Sequence, residues 1–207
     1  MIAIIDYGMG NLFSLASSLK SLGQDVVVSG DPEVIRSADR LFLPGVGAFE
    51  DASRLLYDTG MAGVIQEEAA KGKPLMGICL GMQLLFDRSF EFGEWKGLGL
   101  VPGDVVPMEG VIDSSLKIPQ IGWNALHFTE KGAEHPVFRG IDEGAYVYFV
   151  HSYYASHCEA NTLATTEYSK ELTAAVANDN VIGCQFHPEK SGKVGLQILK
   201  NFCEMEG

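Results

Sequence analysis

The sequence contains no run of about eighteen apolar residues, no lysine- and arginine-rich stretch, no internal repeat and no cysteine pair spaced C-x-x-C. The first absence excludes a membrane-spanning helix. The apolar start, Met1 to Ile5, is too short for the core of a secretion signal and has no basic residues before it. It reads as a first strand, and the expected location is cytoplasmic. With 15 Lys and Arg against 27 Asp and Glu, the net charge is −12, which argues against nucleic acid as a partner. Only four cysteines occur, Cys79, Cys158, Cys184 and Cys203, and their spacing supports neither a zinc site nor a redox pair. A disulfide framework does not fit a reducing compartment. Each cysteine must therefore be judged singly, and the default for each is a small buried hydrophobe.

What is present is an ordinary globular composition, 46% apolar and 20% charged, over 207 residues. That length fits one domain spanning 1–207 with a sizeable core. The first half alternates strand and helix. Short apolar runs at Ile2–Ile5, Val26–Val28, Leu41–Leu43 and Leu75–Ile78 read as strands buried on both faces. Leu12, Leu15, Ala16, Leu19 and Leu22 recur at helical spacing, with Gly23 placed to end the helix. A helical region from Phe49 to Ala70 is expected to break near Thr59-Gly60, and Met82 to Phe86 opens another helix. In the second half, strands are expected at Val101–Val106, Trp123–Phe128, Tyr146–Tyr154, Leu163–Tyr168 and Leu172–Ala177. The turn Asn178-Asp179-Asn180 leads into Val181–Phe186 as a hairpin. Val194, Ile198, Leu199 and Phe202 face one side of a last helix, with Ser191 as its N-cap. The class is α/β: a central, mostly parallel sheet flanked by helices, with antiparallel strands added in the second half.

Gly77-Ile78-Cys79-Leu80-Gly81 lies between an expected strand and an expected helix. A nucleophile on such a sharp turn needs neighbours without side chains, and glycines two residues to either side meet that need. A helix N-terminus at the sulfur would favour thiolate, and the Leu80 N–H would aim at a forming oxyanion. The bland alternative is a core cysteine between incidental glycines. For Cys158, Cys184 and Cys203 the core reading stands.

A thiol nucleophile needs a base. His187 stands in Gln185-Phe186-His187-Pro188-Glu189, directly after an expected strand. Extended residues i and i+2 point the same way, so Glu189 could orient the imidazole. By itself H-P-E is explained equally well by a turn; beside the elbow it gains weight. His151 is the rival base but has no acid two residues away, and reads as a strand histidine near the site. Pro44-Gly45-Val46-Gly47 closes the strand before the elbow strand, where its loop would meet the elbow, and could supply a second oxyanion N–H from Val46; a plain turn explains it too.

PGVGAFE (44–50), GICLGMQLLF (77–86) and FHPEKSG (186–192) resemble class I, or triad, glutamine amidotransferases. IIDYGMGNL (4–12), QIGWN (120–124) and YFVHSY (148–153) are similar to one branch of that family, the glutaminase subunits of imidazole glycerol phosphate synthases. The resemblance runs along almost the whole chain. It implies a Cys79–His187–Glu189 triad and oxyanion donors at Val46 and Leu80. It implies that L-glutamine is held by Gln83, Glu91, Ser152 and Tyr153, with Gly47 beside them. It further implies that Asn11, Trp123, Tyr148 and Lys190 face a cyclase subunit with a (β/α)8 barrel in a heterodimer, and that no cofactor or metal is used. Other readings are a glutaminase subunit for a different synthase, a γ-glutamyl hydrolase or peptidase on the same elbow, or a binding module that has kept only the fold.

Overall fold

A computed structural model describes residues 1–205. The expected domain over 1–207 therefore ends in two residues that lie outside the described range.

The first half forms β1 (Ile2–Ile5), α1 (Leu12–Ser21), β2 (Val26–Ser29), α2 (Pro32–Ser37), β3 (Arg40–Gly45), α3 (Phe49–Asp58), α4 (Met61–Ala70), β4 (Leu75–Cys79) and α5 (Leu80–Gln83). Gly23 ends α1 at φ +77°, a left-handed conformation that costs glycine little. Gly60, also left-handed, separates α3 from α4 where the break was expected. The remaining elements are β5 (Arg88–Ser89), β6 (Trp95–Lys96), β7 (Asp104–Pro107), β8 (Gln120–Ala125), β9 (His127–Phe128), α6 (Glu130–Glu134), β10 (Tyr146–His151), β11 (Tyr153–Ser156), β12 (Thr162–Glu167), β13 (Glu171–Asn178), β14 (Val181–Cys184) and α7 (Gly192–Glu204).

Eight strands form the main sheet in the order β2-β1-β3-β4-β14-β13-β12-β9. The first five are parallel, and β13, β12 and β9 add antiparallel pairings. This is the expected mostly parallel sheet with antiparallel additions. Side chains alternate across it. Ala3, Ile5, Leu41, Leu43 and Leu75 pack with Ile35, Phe49, Ala52, Leu56 and Ile65 from α2, α3 and α4. Ile2, Ile4, Phe42, Met76 and Ile78 pack on the other face with Leu15 and Leu19 of α1 and Ile198, Leu199 and Phe202 of α7.

Several expected boundaries move. Tyr146–Tyr154 is two strands, not one. β10 pairs with β8 in a two-stranded sheet, and β11 joins the four-stranded sheet β11-β7-β5-β6. The switch falls at Ser152, whose carbonyl accepts from the Met108 N–H just past β7. Trp123–Phe128 divides between β8 and β9 in the same way. The expected helix from Met82 is the single turn α5. α2 was not expected, although Asp31 caps it through the Glu33 N–H and Pro32 opens it. Ser191 stands before α7 without capping it. Its hydroxyl donates to the His187 carbonyl (2.6 Å) and accepts from the Tyr148 N–H (3.0 Å). A capping residue by sequence is thus a clasp holding the histidine turn to β10.

Candidate active site

β4 lies between β3 and β14, and all three are parallel. The chain segments leaving their C-terminal ends therefore open on one edge of the sheet, the usual place for ligands in such folds. Cys79 ends β4, the Val46 segment leaves β3, and His187 follows β14.

Cys79 has φ +55° and ψ −114°, a region that non-glycine residues rarely adopt and that marks a strained turn. The flanking glycines are required by space. A Cβ at Gly77 would lie 2.6 Å from the Gly81 carbonyl oxygen, and one at Gly81 would lie 1.7 Å from that of Leu43. α5 is only four residues long, so it offers N–H groups more than an extended helix dipole.

A cleft of about 380 Å³, within the range of small-molecule sites, is lined by Cys79, Leu80, Val46, Gly47, Gln83, Glu91, Ser152, Tyr153 and His187, together with Pro119, Val150 and His151. Nine of the ten residues expected at the reacting centre or the substrate thus line it, and the tenth, Glu189, stands directly behind His187. The Glu189 carboxylate meets His187 Nδ1 at 2.8 Å, both side chains being 3% exposed. The route differs from the extended pair expected. His187 is extended, and a 3₁₀ turn, Pro188–Lys190, brings the carboxylate round. Nε2 of His187 has no hydrogen-bond partner and is left for the cleft. Burial pulls the pKa of His187 down, but Cys79 and Glu189 outweigh it and lift it to about 9. The Cys79 sulfur lies 3.7 Å from the Val150 carbonyl and 3.9 Å from Gln185 Nε2. The other three cysteines lie in the core clusters or packed against them, away from the cleft.

His151 is not a free base. Burial lowers its pKa to about 4, so it is neutral. Its Nδ1–H donates to the Tyr153 carbonyl (2.8 Å), and Nε2 meets the side-chain amide of Gln120 at 2.9 Å. The atom placed there is Gln120 Oε1, whereas a neutral Nε2 accepts; turning that amide over would give the ring a donor and the unpartnered amide nitrogen a partner.

Gln83 is buried, and its amide nitrogen donates to the Tyr153 carbonyl (3.1 Å) and Gln185 Oε1 (3.0 Å). It ties the elbow helix to β11 and the histidine strand, leaving its carbonyl oxygen to offer a ligand. The Glu91 carboxylate accepts from the Phe49 N–H at the start of α3, a helix whose own N-cap, Ala48, has no side-chain acceptor. Burial raises the pKa of Glu91, and the Phe49 hydrogen bond opposes this.

Val46 and Leu80 do not aim two donors at one point in this arrangement. Leu41 N–H donates to the Pro74 carbonyl (2.9 Å), and the register runs from Leu41↔Leu75 to Gly45↔Cys79 without a slip. In a parallel ladder alternate residues bond to the same neighbour. Leu41, Leu43 and Gly45 therefore face β4, and Pro44, which has no N–H, faces away. The Pro44 carbonyl accepts on that far side from the Tyr7 hydroxyl (2.9 Å). Gly45 thus turns its carbonyl towards Leu80, and the N–H of Val46 turns away. Rotating the Gly45–Val46 peptide would exchange them, and glycines at 45 and 47 (Gly47 at φ +96°) ease the rotation.

Asn11, Trp123, Tyr148 and Lys190 lie outside the cleft on adjoining elements. Trp123 is 51% exposed and meets Tyr148 edge-on at 6.1 Å across the β8–β10 pair. Lys190 is exposed on the histidine turn, which touches both β10 and α1. Asn11 caps α1, accepting from the Ser14 N–H. Two residues that touch the site's segments from outside the cleft lining escaped the sequence reading. Gln185 stands two before His187, so strand alternation could have found it. Tyr7 had no signal, because its contact with Pro44 joins segments 37 residues apart.

The sequence model of the family described as glutamine amidotransferase class-I matches residues 3–205. An imidazole glycerol phosphate synthase subunit HisH from Caldanaerobacter subterraneus subsp. tengcongensis is 52% identical, covering 99% of this chain and 98% of that one. The HisH subunit from Sulfurimonas denitrificans is 51% identical over 98% and 97%. This chain belongs to the class I glutamine amidotransferases, in the HisH family. A solved glutamine amidotransferase, 17% identical, superposes with a TM-score of 0.76 over 98% of this chain and 97% of that one, which bears on the fold alone. Within this amidotransferase the expected elbow, histidine and carboxylate stand together around one cleft. Among its described residues no helix is long and apolar enough to cross a membrane.

Proposed function

We propose that the chain hydrolyses the side-chain amide of L-glutamine through a thioester on Cys79 and delivers ammonia to the barrel-shaped cyclase subunit of an imidazole glycerol phosphate synthase, as one half of a cytoplasmic heterodimer in histidine biosynthesis. The observation that carries the reading is the strained Cys79 opening into the same cleft as the Glu189-backed His187.

With the proton on Nε2 of His187, where the raised pKa holds it at neutral pH, the Cys79 sulfur attacks the amide carbon of glutamine. The N–H groups of Leu80 and a reoriented Val46 hold the oxyanion, each worth about 10²–10³ in kcat. His187, whose elevated pKa suits it to carry a proton at neutral pH, protonates the departing ammonia. Water, with His187 as base, then cleaves the γ-glutamyl thioester. Glu91, Gln83, Ser152 and Tyr153 hold the amino-acid end of glutamine, and Gly47 gives it room. No cofactor or metal enters the steps.

Ammonia released into water is protonated and lost as a nucleophile, so turnover without the acceptor wastes glutamine. The turned-away Val46 N–H fits a resting state that the cyclase corrects, through the surface that carries Asn11, Trp123, Tyr148 and Lys190. Ammonia release from glutamine, measured with and without the cyclase and its nucleotide ligand, tests the reading. Release that depends on Cys79 and rises with the cyclase is expected; equal release from Cys79→Ala rules the reading out.

A further inference from the structure

Tyr7 belongs to neither the cleft nor the surface assigned to the partner, yet it is 5% exposed and reaches the strand that must move. β1 stops at Ile5, so beyond it β3 has no neighbour on that side. The Pro44 carbonyl would be stranded there, and the Tyr7 hydroxyl supplies its donor at 2.9 Å. The same hydroxyl crowds Gly45: a Cβ on that residue would lie 2.7 Å from it. Rotating the Gly45–Val46 peptide carries the Gly45 carbonyl from the Leu80 side to the side on which this hydroxyl stands. Without a donor there, a buried carbonyl would be left unpaired, and the rotated arrangement would be penalised.

We propose that Tyr7 is a positioning residue for the oxyanion peptide: its single hydroxyl proton, held by the Pro44 carbonyl in this arrangement, is shared with the Gly45 carbonyl in a three-centre hydrogen bond when the Val46 N–H turns towards the sulfur. Burial, and after it the Cys79 sulfur, push the phenol's ionisation well up, so it stays a donor at any working pH. The hydroxyl therefore stabilises the state with two oxyanion donors without touching glutamine. This rests on the glutaminase reading above.

The test is Tyr7→Phe, which keeps the ring and removes the hydroxyl, assayed in the complex with the barrel cyclase and its nucleotide ligand. The expected result is a kcat for ammonia release lower by about tenfold to a hundredfold, approaching the loss of one oxyanion donor. KM for glutamine and the rate at which iodoacetamide alkylates Cys79 should stay as in the wild type, since neither needs an oxyanion hole. An unchanged kcat overturns the proposal. So does a fall in kcat matched by slower alkylation, which would mean a general loss of structure. A wild-type complex that releases no ammonia would sink the glutaminase reading itself, a different outcome from an active wild type equalled by Tyr7→Phe. A crystal structure of the wild-type complex with a ketone analogue of glutamine bonded to Cys79 gives an independent reading that needs no variant. The Gly45 carbonyl is expected within hydrogen-bond reach of the Tyr7 hydroxyl; a Gly45 carbonyl still facing Leu80, or on another donor, overturns the proposal.

Discussion

His187 concentrates three opposing influences in one ring. Burial works against its charge, while the Cys79 sulfur and the Glu189 carboxylate work for it and prevail. Its pKa stands at about 9 in the folded chain, against an ordinary value of about 6.5. A raised pKa means that the folded state binds the proton more tightly. The stability that His187 contributes is therefore whole below about pH 6.5 and is lost as pH rises through 9. In Cys79→Ala the pull of the sulfur vanishes while burial remains. Histidine NMR titration should then show the His187 pKa fall, and the alkaline loss of stability should begin at lower pH. A His187 pKa unchanged in that variant would mean that sulfur and ring do not interact. The nucleophile, base and orienting acid were all legible as residues, because each sits in a short motif with a steric reason for its neighbours. Gln185 was legible too, through strand alternation, and went unread.

Elements were legible where a local rule determined them and obscure where tertiary contacts did. The parallel strands announced themselves as unbroken apolar runs, and Gly23 and Gly60 marked ends that only a left-handed residue tolerates. The Glu189 turn, the break at Ser152 and the clasp made by Ser191 depend on partners distant in sequence. The elbow and the core behind it should respond differently to substitution. Gly81→Ala drives a methyl into the Leu43 carbonyl, backbone against backbone. It should cost about 4 kcal/mol or more and remove turnover with stability. Phe202→Ala removes a ring that meets Phe42 edge-on at 4.9 Å and does not line the cleft. It should cost about 3–5 kcal/mol in denaturant unfolding while kcat per folded molecule holds. Loss of turnover in folded Phe202→Ala would show that the elbow depends on the far end of the core cluster it shares with Phe202.

At the scale of the whole molecule, the topology does the assembling. Placing β4 between β3 and β14 brings a sulfur, an imidazole and the Gly45–Val46 peptide to one edge from segments as far apart in sequence as Gly45 and His187. Only the order of strands achieves this, and no local motif states that order; family resemblance supplied it. The exposed Trp123 and the adjoining histidine turn place the proposed partner surface next to the base. If the cyclase acts by turning the Val46 N–H, it should raise kcat for glutamine hydrolysis far more than it lowers KM. Full activity in the isolated chain would contradict that control. The most direct measurement is acid quenching of the complex during glutamine turnover, followed by mass spectrometry of the peptide containing Cys79. A γ-glutamyl thioester on Cys79, accumulating and then discharging, is the expected result; turnover with an unmodified Cys79 and the glutamyl group on another residue, or on none, would contradict it.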